Sequence, residues 1–271
     1  DWPDGVYSLG ERVMRTLKLT FAYDGTNYHG FQKQANALTV QQVIEEKLSF
    51  LCGEKIVTAG SGRTDTGVHA RGQVVSLTTS GTIPLDNLLK ACASILPKDI
   101  VLWQAEEAKA DFHARYSACW KRYSYRIVQN GYDDPFLRNY AWQMRERLQL
   151  EQMQAAAQQL LGTHDFSFFR SAGSVPGSPV KTVYRAEWLP QGQSELEFCI
   201  EGDGFLYHMV RNIVWSLVEV GRGLKSIETF KSEFADGKRH FKAAPAPPQG
   251  LYLDYVAYTP HTRADIEKIR K

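Results

Sequence analysis

Three absences narrow the chemistry before any motif is read. None of the four cysteines, Cys52, Cys92, Cys119 and Cys199, stands in a C-x-x-C pair, and the histidines form neither H-x-x-x-H nor H-x-E spacing. A zinc cluster therefore has no ligand pattern to use, and isolated thiols fit a reducing compartment. The apolar runs fall far short of a membrane span, and Asp1 to Gly10 lacks the basic-then-apolar order of a signal peptide, so a cytoplasmic protein is expected. Charge excess is missing too. Against 32 Lys plus Arg stand 30 Asp plus Glu, a net +2, so a nucleic-acid partner would need the basic residues gathered on one surface.

What is present is an ordinary ordered chain. Its 271 residues, 43% hydrophobic and 23% charged, can bury one large core or two closely packed ones. Leu17, Leu19, Phe21 and Tyr23 alternate with polar neighbours and predict a half-buried strand closed at Asp24-Gly25. Thr39 with Gln42 forms a capping box that opens a helix to about Leu51. A short strand at Ile56 to Ala59 precedes the loop Gly60 to Ala70 and a strand at Gln73 to Thr78. A second helix starts near Pro84, and a strand at Ile100 to Trp103 ends the first half.

The second half begins near Asp111. Tyr123, Tyr125 and Ile127 mark a strand, and Leu150 to Leu161 a helix stopped by Gly162. Strands at Thr182 to Leu189 and Glu195 to Glu201 flank a turn. An apolar helix is read from Phe205 to about Val220, then an Ala/Pro connector from Ala243 to Gly250, then a closing strand from Leu251 to Tyr258. Strands and helices interleave without a Rossmann glycine pattern, which predicts an α+β fold with a mainly antiparallel sheet. The organisation expected is an N-terminal α+β half at 12–110, a C-terminal half at 111–260, and terminal extensions at 1–11 and 261–271.

Chemistry concentrates in three places. The first is Gly62-Arg63-Thr64-Asp65-Thr66-Gly67-Val68-His69-Ala70-Arg71-Gly72, between two short strands. Glycines admit close backbone approach, and Arg63 and Arg71 can grip phosphates bidentately. Asp65 repels phosphate and must serve something else, either chemistry or the capping of its own turn. No third glycine follows Gly60 and Gly62 at dinucleotide spacing, and no Gly-Lys-Ser/Thr completes a P-loop. The second place is Arg211, about 20° beyond the edge of an apolar helix face at ~100° per residue. Such a guanidinium needs a counter-charge, for which Asp65 is a candidate, or else packs its stem and sends its head to water. The third is Lys121-Arg122-Tyr123-Ser124-Tyr125-Arg126, basic and aromatic on one strand, which suits base stacking as well as an ordinary exposed strand.

Taken in order, these segments resemble a known family. Tyr23-Asp24-Gly25, Tyr28-His29-Gly30-Phe31-Gln32, the loop around Asp65, Phe112-His113-Ala114-Arg115, Lys121 to Tyr125, Asp165-Phe166, Phe205 to Asn212 and Gly250-Leu251-Tyr252-Leu253 are similar to the bacterial tRNA pseudouridine synthase A (TruA) family from about Leu17 to Tyr258. The resemblance implies a pseudouridine synthase-like fold of two similar halves sharing a continuous sheet flanked by helices. It implies Asp65 as the catalytic aspartate, Tyr123 as the tyrosine stacked on the target base and handling a proton, and Arg211 as the carboxylate's partner. Arg63 would assist base flipping and Leu251 would close the pocket. His69 and Arg71 are expected beside the substrate, and Phe112, His113, Ala114, Arg115 and Tyr116 against tRNA, as is Ser171 to Val175. The implied reaction turns uridine into pseudouridine at tRNA positions 38, 39 and 40, without cofactor or metal, in a homodimer that shares each tRNA. Ser61, Cys119-Trp120 and the stretch from Gly173 to Pro179 depart from the family's usual pattern without removing a chemical group.

The reaction suits these residue types. Flipping a stacked base costs a few kcal/mol, and an ionised carboxylate can then attack sugar or base while a neighbouring arginine opposes protonation. Two rival readings fit less well. A zinc deaminase lacks its H-x-E and P-C-x-x-C here, and a non-catalytic RNA-binding module leaves Asp65 unexplained.

Overall fold

A computed structural model describes residues 13–173, 177–237 and 244–262. The expected N-terminal extension, most of the C-terminal one, Ser174, Val175, Pro176 and Ala243 lie outside the described residues.

The first strand, β1 (Arg15–Tyr23), pairs antiparallel with two later ones, so it sits inside the sheet. Leu17, Leu19, Phe21 and Tyr23 are buried as the alternation predicts, but Thr16 and Thr20 are buried as well. Period two chose the faces correctly; the opposite face is covered rather than wet. Helix α1 (Val40–Cys52) is capped by Thr39, whose hydroxyl accepts from Gln42 N, and ends at Gly53 with φ 65°. Only half of the capping box forms, because the Gln42 amide turns outward to Glu46. The strand expected over Ile56 to Ala59 is a two-residue β2 (Ala59–Gly60), pairing with Ser76 and Val75. Strand β3 (His69–Thr79) starts four residues earlier than expected.

Helix α2 (Leu85–Ile95) and strand β4 (Ile100–Ala108) complete the first half. The second half runs through β5 (Trp120–Val128), a short β6 (Trp142–Gln143), α3 (Leu150–Gln158), β7 (Gly162–Asp165), β8 (Val180–Gln191), β9 (Glu195–Gly202), α4 (Met209–Gly221), α5 (Ile227–Asp236) and β10 (Leu251–Ala257). Three elements were unexpected, the two-residue β6, strand β7 and helix α5. Strand β7 is exposed along most of its length and carries no apolar alternation. Helix α5 did carry a signal: Ser226 caps it, Phe230 and Phe234 lie four apart on its buried face, and Gly237 ends it.

The described strands form one sheet in the order β4-β1-β3-β10-β5-β9-β8-β7. Pairing is antiparallel except for the short β5/β6 contact and the seam, where β10 runs parallel to β3 through Tyr252–His69 and Leu253–Ala70. The last strand thus wedges between the two segments of chain, and Leu253 lies opposite Tyr123 on its other side. That seam sets the loop after β2 beside the middle of β5. It is the feature of the fold that builds the site. Among the described residues no helix is long and apolar enough to cross a membrane.

Candidate active site

Asp65 stands in a loop tied down along its backbone. Ser61 N donates to Val74 O at 2.8 Å and Phe31 N to Thr64 O at 3.1 Å. The Gln73 side-chain amide donates to Gly62 O at 2.8 Å, and the hydroxyls of Tyr23 and Thr64 meet at 2.7 Å. The chain then reverses, with Val68 N donating to Asp65 O at 3.1 Å and Gly67 at φ 77°, the positive φ that a type II turn demands at its third position. Gly25 presses on this turn so closely that a Cβ would lie 2.0 Å from Val68 O. The loop is a rigid platform, and Asp65 points from it across the seam.

There it meets the start of α4. The Arg211 Nη1 donates to Asp65 Oδ2 at 2.9 Å, while its Nε donates to Ala246 O at 2.6 Å. His208 approaches the same oxygen, with Nε2 3.3 Å from Oδ2. The side chains are mostly withdrawn from water, 25% exposed for Asp65 and 11% for Arg211. Burial works to raise the Asp65 carboxyl, but the hydrogen bonds and charges of His208, and then of Arg211, outweigh it and hold the group below its ordinary value. The carboxylate is therefore ionised at neutral pH. Of the two readings open for Arg211 in the sequence, the counter-charge reading is the one the structure adopts.

Tyr123 lies on β5 opposite Leu253, buried, with its ring edge-on to Phe205 at 5.1 Å. Burial pushes its phenol well up, and the proximity of Tyr23 and Asp65 adds to that. A neutral phenol is thus what the site presents. Leu251 is buried two residues before Leu253, opposite Tyr125, whose hydroxyl donates to Pro247 O at 2.7 Å.

The remaining expected residues separate into two groups. Arg63 is exposed beside Asp65, with no ion pair among the described residues. In the segment Phe112 to Tyr116, Ala114 is buried and anchored by its N–H to Ser76 Oγ at 3.0 Å. Phe112 packs on Tyr258. His113 Nδ1 accepts from Arg115 N at 3.1 Å and its ring lies 4.3 Å from Tyr116, leaving Arg115 and Tyr116 outward. His69 and Arg71, by contrast, are not brought to Asp65. His69 is buried, accepts from Gly25 N at 3.0 Å, meets Asn139 O at 2.8 Å and stacks on Tyr252. Arg71 donates to Asp254 at 2.6 Å and Ser124 at 3.0 Å. Side chains alternate along a strand, so Ser124 and Tyr252 lie on the face opposite Tyr123 and Leu253. The intervening sheet turns both residues to structural work.

Two residues of this region were given no role of their own by sequence reasoning. Lys121 Nζ donates to Ser61 O at 2.6 Å and sits against Gly62; burial, helped by the Arg115 charge, lowers its ammonium to about 8. His208 stands three residues before Arg211, a spacing that places two side chains on one helical side, and that was the available signal. It was obscured because the helix expected from Phe205 starts only at Met209. Among the described residues, no group of three or more His, Cys, Asp or Glu is arranged to hold a metal.

Comparison with known proteins shows the family. The family model described as tRNA pseudouridine synthase matches residues 19–117 and 156–259, and the chain belongs to that family, whose members are isomerases. It is 44% identical over 247 residues to tRNA pseudouridine synthase A of Thermoanaerobacter sp. (strain X514), covering 90% of this chain and all of that protein. It is 45% identical over 245 residues to the protein of the same name from Acetivibrio thermocellus, again covering 90% of this chain and all of the relative. Similarity to the Halalkalibacterium halodurans tRNA pseudouridine synthase A is 45% over 239 residues, 88% of this chain and 90% of that protein.

Proposed function

We propose that this protein isomerises uridine to pseudouridine in tRNA, at positions 38, 39 and 40 of the anticodon stem-loop, with Asp65 as nucleophile and no cofactor. The observation that carries the reading is the Asp65–Arg211 ion pair, formed across the seam from residues 146 apart in sequence and set beside the Tyr123 ring. A carboxylate kept ionised in a mostly buried place is poised for covalent attack or for stabilising a cationic sugar. In the reaction the uridine N1–C1′ bond breaks, the uracil turns, a C5–C1′ bond forms, N1 gains a proton and C5 loses one. Tyr123, neutral, offers its ring for stacking and its hydroxyl as a donor or relay, rather than a standing phenolate base. Leu251, buried, closes the pocket, and Arg63, without an ion pair among the described residues, fills the space the flipped base leaves.

Exposed Arg115 and Tyr116, held by His113, Phe112 and Ala114, supply a basic-aromatic edge for the tRNA body. His69 and Arg71 support the fold from the other face of the sheet, and Arg71, half exposed, can reach RNA beyond the target base. The family likeness further supports a cytoplasmic homodimer in which each tRNA touches both subunits, which light scattering of the free protein and of its tRNA complex would test. Catalysis is tested with undermodified tRNA tritiated at uracil C5. Wild type releases tritium, and Asp65→Asn binds tRNA without releasing it. Binding by both without release would favour a non-catalytic RNA-binding module, and mapping pseudouridine by mass spectrometry in the treated tRNA tests the three positions.

A further inference from the structure

His208 adopts φ 60°, and among the described residues it is the one non-glycine with positive φ. A residue with a Cβ is disfavoured there, so something must hold it. Helix capping is not the reason, because its side chain makes no cap hydrogen bond to α4. The left-handed turn instead aims the ring at Asp65.

The ring is fixed from behind. Tyr207 stacks on it at 3.8 Å, and Ser171 Oγ lies 3.0 Å from Nδ1. Ser171 is itself positioned, since its N–H donates to Tyr207 O at 3.1 Å. Asn212 Nδ2 donates to Phe169 O at 2.7 Å and to Ser171 Oγ at 3.3 Å. Ser171 Oγ thus has a partner on either side, Asn212 Nδ2 and His208 Nδ1. Asp65, ionised, can only accept, so the Nε2 that faces its Oδ2 at 3.3 Å is the ring nitrogen that carries hydrogen toward it. Arg211 Nη1 donates to that same oxygen, whereas no donor among the described residues meets Oδ1.

We propose that His208 is a positioning residue for Asp65: with Arg211 it holds Oδ2, and so reserves Oδ1 as the oxygen that attacks the substrate. This rests on the reading of Asp65 as nucleophile. Two donors on one oxygen fix the plane of the carboxylate and draw charge from the held side, leaving the unbound lone pairs of Oδ1 facing the reacting carbon. The other charged and titratable groups around Asp65 are Tyr123 and Lys121 from β5, Tyr23 from β1 and Arg63 of its own loop; none of them donates a hydrogen bond to the carboxylate.

The test compares His208→Leu, His208→Gly, His208→Gln and Asp65→Asn in single-turnover tritium release across pH, with tRNA affinity and melting measured in parallel. Leu removes the donor. Gly removes it while relieving the positive φ, which separates the hydrogen bond from backbone strain and provides a folded variant should Leu fail to fold. Gln restores an amide donor near the Nε2 position. A lost hydrogen bond to a charged group corresponds to roughly a tenfold to hundredfold loss in rate. The expected result is that loss in Leu and Gly, with tRNA affinity within about threefold of wild type, an acid limb moved up by about one pH unit, and substantial rescue by Gln. Wild-type rates and an unmoved acid limb in Leu and Gly, beside an inactive Asp65→Asn, overturn the role of His208 alone. Equal losses in all three His208 variants with an unchanged pH profile overturn it too. An active Asp65→Asn overturns the nucleophile reading on which the inference stands.

Discussion

Arg211→Met isolates the ion pair, because it keeps the stem that packs at the edge of the core and removes the guanidinium. Two hydrogen bonds vanish, one to Asp65 Oδ2 at 2.9 Å and one to Ala246 O at 2.6 Å. Breaking a fully buried pair costs about 3–5 kcal/mol; with Asp65 a quarter exposed and His208 still in place, the lower end is expected at neutral pH, about 2–3 kcal/mol. The pH dependence identifies the partner. Asp65 has a folded pKa below its unfolded one, so the stability it contributes is fully present above the unfolded value and is lost as pH falls through the folded value. Most of the gap between wild type and Arg211→Met should therefore close as pH falls from about 5 through the ordinary Asp value and on below it, through the lower folded value, leaving about 1 kcal/mol from the lost bond to Ala246. Urea denaturation at a series of pH values measures it. A gap that stays constant through that range would mean that Asp65 is not the group Arg211 stabilises.

Three further outcomes can be measured. Gly25→Ala forces a Cβ onto Val68 O, so it should destabilise the fold by about 1–3 kcal/mol in chemical denaturation and slow tritium release by disturbing the turn that carries Asp65. Lys121 has a folded pKa of about 8 against an ordinary value of 10.5, so the folded state sheds its proton first, and wild-type stability should gain on Lys121→Met as pH rises from 8 to 10, read from melting temperatures. Arg63→Ala touches no partner among the described residues, so stability should stay within about 0.5 kcal/mol, while the slope of log affinity for tRNA against log salt falls by about one if Arg63 meets a phosphate.

The amino-acid sequence by itself determined the local structure and the chemical inventory. Alternation of apolar residues located β1 and β5, Thr39 opened α1, and the Gly-Arg-Thr-Asp loop announced its aspartate between two strands. The angular position of Arg211 on its helix raised the question of a counter-charge without deciding it. These are properties of neighbours in sequence, set by periodicity and turn chemistry. Tertiary structure decided the rest. That β10 wedges parallel to β3, and so carries β5 up against the loop of Asp65, depends on pairing between strands far apart in the chain. Which face of the sheet a loop arginine reaches is equally non-local, and it is why Arg63 stays by Asp65 while Arg71 is turned to Asp254. His208 shows the limit most clearly. Helical periodicity placed it within a helix, but contacts with Ser171 and Asp65, 37 and 143 residues away, hold it in a backbone conformation that local preference disfavours, and only the packed fold supplies them.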